Sequence, residues 1–143
     1  MLRAVSTRVK AMAAATVLIV LGIGGCYWYR YADLMRTHLA LLDAMAAKLC
    51  ASNDGRGRAR LSGPALAEYE YPLARARDFA RVAQKRCPER GSLRAFGQVL
   101  SAYGRIVRDV ARADGPGCAL VPRLTGRIRR VDRWLTREPR SCR

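Results

Sequence analysis

Acidic side chains are scarce in this chain: 11 Asp and Glu stand against 27 Lys and Arg in 143 residues, a formal net charge of +16. Two carboxyls must converge for acid–base hydrolysis, and the nearest pair, Glu68 and Glu70, lies two positions apart on a predicted helix and so points in different directions. Histidine is scarcer still, with His38 alone. One imidazole cannot supply a histidine-rich metal site, and every nucleophilic scheme based on Ser or Cys would have to share it. The five cysteines include no C-x₂-C pair, which argues against zinc. Runs alternating between apolar and polar residues are missing too, so no strand is predicted. These absences lead us to expect no enzyme, no catalytic residue, no metal and no cofactor.

The charge does not signal disorder, because half the residues are apolar. Arg accounts for 24 of the 27 basic residues. The longest uncharged stretch is 11–29, AMAAATVLIVLGIGGCYWY, preceded by Arg3, Arg8 and Lys10 in an acid-free flank, 1–10. Its nineteen residues span roughly 28 Å as a helix, close to the hydrocarbon thickness of a bilayer. Tyr27, Trp28, Tyr29 and Tyr31 would lie at headgroup level. Gly22, Gly24 and Gly25 fall inside the segment and serve close helix packing, not a phosphate loop. We expect a transmembrane or signal-anchor helix with the N-terminus inside and residues 30–143 exported to a periplasm, cell exterior or intermembrane space. Ile23-Gly24-Gly25-Cys26 also resembles a bacterial lipobox, which implies lipidation of Cys26 as the alternative. A cleaved secretory signal or a mitochondrial presequence is the remaining reading.

Beyond the anchor the apolar spacing predicts four helices. The first covers about 31–50 with Leu34, Met35, Leu39, Leu41, Leu42, Met45, Ala46 and Leu49 inward. The second covers 64–85 with Leu66, Tyr69, Leu73, Phe79, Val82 and Ala83 inward, and Pro72 should kink or split it. The third follows an N-cap at Ser92 and buries Leu93, Phe96, Val99, Leu100, Tyr103, Ile106, Val107 and Val110. The fourth begins near Pro122 with a stripe of Leu124, Ile128, Val131 and Leu135. Short connections make this an all-α, up-down four-helix bundle. In that topology Cys50 and Cys118 share one end and Cys87 and Cys142 the other. The pairing is therefore Cys50–Cys118 and Cys87–Cys142, since the other two pairings would cross the bundle's roughly 30 Å length. His38 falls on the apolar face of the first helix and reads as a packed or interface histidine, although a haem or metal ligand with Met35 or Met45 is the functional counterpart.

Three places concentrate the basic charge: the loop with Arg56, Arg58 and Arg60; a face of the fourth helix with Arg123, Arg127, Arg130, Trp134 and Arg137; and a membrane-proximal group of Arg86, Arg90, Arg140 and Arg143. An exposed Trp among arginines is a common contact patch. The partner-binding residues are thus sought in the loop and on the fourth helix. The expected function is a membrane-anchored, disulfide-stabilised binding or adaptor module: an accessory subunit, or an inhibitor-like partner, of a membrane or envelope complex. The alternative is a stand-alone cationic protein that binds anionic lipid or polysaccharide. Export argues against nucleic acid, and no DNA or RNA module is present. A spanin-like lysis protein shares the plan of anchor, helical exported part and terminal Cys, but six prolines and short helices fit poorly with a long coiled coil.

Overall fold

The computed structural model describes residues 28–52, 61, 63–113 and 115–138. Among these residues there are four α-helices, one short 3₁₀ turn and no strand. We label the helices α1 (28–52), α2 (Pro64–Arg86), α3 (Gly91–Arg112) and α4 (Val121–Arg137), with the 3₁₀ turn at Gly117–Leu120. Proline starts α2 at its first position, where the missing N–H is of no consequence. The same helix runs unbroken through Pro72, which is buried, so the expected split does not occur.

Each helix packs antiparallel to its sequence neighbour. Lys48 of α1 pairs with Glu68 of α2, while ten residues earlier His38 meets Phe79 with ring centroids 5.1 Å apart. The first and last helices also adjoin: Arg36 Nε donates to Asp132 at 2.9 Å, and Thr125 Oγ1 donates to Asp43 at 2.7 Å. The core between them contains Met35, Leu42, Phe96, Tyr103, Ile106, Leu124 and Val131, all essentially inaccessible. Tyr103 Oη donates to the Tyr69 carbonyl at 3.0 Å, which satisfies a buried hydroxyl and ties α3 to α2. Burial raises the phenol's pKa well above its ordinary value, with the neighbouring Tyr69 adding to the shift.

The apolar faces of α3 and α4 are as predicted, with Ile128 only partly covered. Two corrections apply elsewhere. Leu34 and Leu41 are 50% and 44% exposed and Val82 is 53% exposed. They flank the α1–α2 seam and do not point into it. Ala76, not predicted, fills the α2 core position instead. Ser92 is not the N-cap of α3. The helix starts at Gly91, and Ser92 lies in its first turn, giving its N–H (2.9 Å) and hydroxyl (2.5 Å) to the Glu138 carboxylate at the end of α4.

The disulfide Cys50–Cys118 is present, with Cα atoms 5.5 Å apart, joining the end of α1 to the 3₁₀ turn. Cys87, 2% exposed at the end of α2, is also disulfide-bonded, to a partner outside the described residues. Cys26 and Cys142, the basic loop with Arg56, Arg58 and Arg60, Arg140 and Arg143, and all of segment 11–29 except Trp28 and Tyr29 lie outside them as well. No helix among the described residues is long and apolar enough to cross a membrane. Trp28, read above as an interfacial ring, is 2% exposed inside the bundle, with the Arg90 guanidinium 4.1 Å from its ring centre.

Candidate functional site

The predicted stripe of α4 is a surface. Arg123, Arg127, Arg130, Trp134 and Arg137 are all exposed, because each falls on the flank away from the buried Leu124–Val131–Leu135 line. The flank borders α3. Arg127 Nη1 reaches across to donate to the Gln98 carbonyl at 3.3 Å. Trp134, 44% exposed, lays its ring on the backbone of Gly91, where an added Cβ would sit 1.8 Å from Cζ3. Only glycine at the start of α3 permits that contact. The indole is therefore fixed at one edge and open at the other, the condition under which an aromatic side chain anchors a partner at small entropic cost.

The adjoining outer stripe of α3 was not singled out from sequence. It presents Arg94, Arg105, Arg108 and Arg112, all exposed. Their spacing of 11, 3 and 4 places them on one face opposite the apolar one, a signal present in the sequence but masked by attention to the hydrophobic repeat. None of these four arginines, nor of the four on α4, forms an ion pair among the described residues. The carboxylates are used elsewhere. Asp132 and Asp43 sit in the α1–α4 seam, Glu68 pairs with Lys48, Asp78 with Arg81, and Glu138 is committed to Ser92 and Arg90. These described acids are thus taken up on other faces and seams.

Arg90 does not belong to any surface cluster. It is 7% exposed, stacked on Trp28 and 3.8 Å from Glu138. Burial lowers its pKa and Glu138 partly offsets that. Together with Ser92 it forms a clamp joining the start of α1, the start of α3 and the end of α4. His38 is half-buried, its ring against Phe79, and burial followed by the nearby Arg75 charge lowers its pKa. No group of three or more metal-ligating side chains occurs among the described residues. Compared with protein-family models, curated proteins and solved structures, the chain finds no match in any of the three.

Proposed function

We propose that this protein is a membrane-anchored, disulfide-stapled helical binding module, an accessory subunit or inhibitor-like partner in a membrane or envelope complex. Its contact surface is the arginine face of α3 and α4. The observation that carries this reading is Trp134, half open and seated on Gly91 in a face whose arginines form no ion pair among the described residues. The partner surface it fits is acidic, with an apolar recess for the indole. The uncharged stretch 11–29 supports the anchor, with Cys26 acylation as the alternative attachment. A second bridge, Cys87–Cys142, is supported by the disulfide-bonded state of Cys87 and by the contact of Glu138 with Ser92. Cys142 lies four residues beyond Glu138, a reach of about 13 Å when extended.

Native mass spectrometry of the full chain, extracted in mild detergent without reductant, tests the reading. A stoichiometric heavier assembly that is lost in Arg127→Glu/Arg130→Glu is expected. A lone monomer would overturn the adaptor reading. It would favour the collective alternative, a cationic envelope protein binding anionic lipid or polysaccharide, for which the unpaired arginines also speak. Peptide mapping of the same sample should recover the Cys87–Cys142 cross-link; a Cys26–Cys87 cross-link would refute both that pairing and acylation of Cys26.

A further inference from the structure

On the other side of α3, facing α2, lies a cleft of about 420 Å³, within the size range of small-molecule sites. Its floor is apolar, formed by Leu66 and Leu73 of α2 and Val107 of α3. Its rim carries Arg77, Arg108 and Arg112 against one carboxylate, Glu70. None of the four forms an ion pair among the described residues. The antiparallel packing that sets Leu73 and Arg77 against Gly104 puts Glu70 level with the Val107–Arg108 turn, so one carboxylate stands among three guanidinium groups and the rim keeps a net positive charge. Arg108 and Arg112 are one turn apart, where like charges repel. Arg77 is exposed, but its guanidinium folds over the helix surface: a Cβ on Gly104 would lie 3.3 Å from its Nη2 and 3.2 Å from Leu73 Cδ2, so it rests against bare backbone.

We propose that this cleft binds a single-chain anionic amphiphile, a short acyl chain with a phosphate headgroup. The chain covers Leu66, Leu73 and Val107, and the headgroup lies among Arg77, Arg108 and Arg112. Each element of the site answers one part of that ligand. The apolar floor gains by removal from water, and the guanidinium groups, planar and fork-shaped, suit phosphate oxygens. An anion there also relieves the repulsion between Arg108 and Arg112. Arg108 and Arg112 belong to both this cleft and the proposed contact face, whereas the cleft uses no residue of α4, so variants on α4 tell the two apart.

The test uses the full chain with its disulfides intact in phosphatidylcholine nanodiscs, and lauroyl-lysophosphatidic acid bearing a terminal diazirine. Irradiation should place adducts at Leu66, Leu73 or Val107. Excess unlabelled lauroyl-lysophosphatidic acid should remove them, whereas monolauroylglycerol (same chain, no charge) and glycerol 3-phosphate (same headgroup, no chain) should not. Arg108→Glu/Arg112→Glu should lower this labelling at least about tenfold, a change of about 1.4 kcal/mol. Gly104→Leu, which displaces Arg77 and Leu73, should lower it too, with the helical circular dichroism checked in both. Arg127→Glu/Arg130→Glu on α4 should leave it intact. The proposal fails if no adduct forms in α2 or α3, if either partial ligand competes as well as the whole, or if the α4 variant loses labelling equally.

Discussion

His38 is uncharged in its folded surroundings at a pH where the unfolded chain already binds a proton. Its ring lies on Phe79 and its pKa is lowered from the ordinary 6.5, by burial first and by Arg75 second. The unfolded state therefore holds more protons between the folded pKa and 6.5, and stability rises with pH across that window. Thermal melts at pH 5.5 and 7.5 should show the chain less stable at the lower value, and His38→Phe should flatten that difference. An unchanged difference would mean other groups set it. Backbone strain falls on Ala113, which ends α3 at φ 52° and ψ 35° while its N–H bonds back to the Asp109 and Val110 carbonyls. A side chain in the left-handed region costs about 1 kcal/mol, a cost glycine avoids. Ala113→Gly should thus raise stability by up to about 1 kcal/mol in urea titrations, even though glycine widens the unfolded ensemble. Neither residue was legible as such in the sequence. The position of His38 on the apolar face was visible, but the ring opposite it and the backbone dihedral of Ala113 depend on which segments meet.

At the scale of the elements, the helices were legible because their stripes are strong. Leu93 to Val110 and Leu124 to Leu135 repeat at helical spacing and are buried as expected, Ile128 only in part. The edges of those stripes were not. Leu34, Leu41 and Val82 satisfy the same periodicity but fall on the open flank of the α1–α2 seam, and periodicity does not say where a neighbouring helix stops covering. The N-cap of α3 failed for a related reason: the groups at its first turn are met by a carboxylate 46 residues away, not by a local side chain. Glu138 accepts from Ser92 N and Oγ and faces Arg90, whose side chain is 8% exposed. Glu138→Ala leaves a buried guanidinium and two donors without their acceptor, and removing one partner from a buried pair costs about 3 kcal/mol. Ser92→Ala, which removes only one hydroxyl, should cost about 1 kcal/mol. Chemical denaturation of the oxidised chain checks the ratio. Equal small losses would show that Arg90 keeps its stabilisation from contacts other than Glu138.

Over the whole molecule, the Cys50–Cys118 pairing was legible because an up-down path leaves those two cysteines at one end, where they are joined. The extent of the arginine face was not. It forms only when α3 and α4 lie side by side and the acids are taken up elsewhere, so a single-helix reading finds half of it. In the proposed contact two kinds of contribution would combine there, and they separate in time. The eight arginines, none in an ion pair among the described residues, create a field that acts before contact, over a Debye length of about 8 Å at physiological salt. Trp134 acts only once its indole is covered. Charge reversal at Arg127 and Arg130 should therefore slow association with the partner recovered in the native assembly by at least about tenfold in 50 mM salt, an effect that disappears near 0.5 M. Trp134→Ala should leave the association rate near its original value and raise dissociation about 30-fold, the equivalent of about 2 kcal/mol for an interface anchor. Surface plasmon resonance across a salt series measures both. If Trp134→Ala changed neither rate while the arginine variant abolished binding at every salt concentration, the indole would have no place in the interface. The face would then act through charge alone, as the polyanion-binding reading requires.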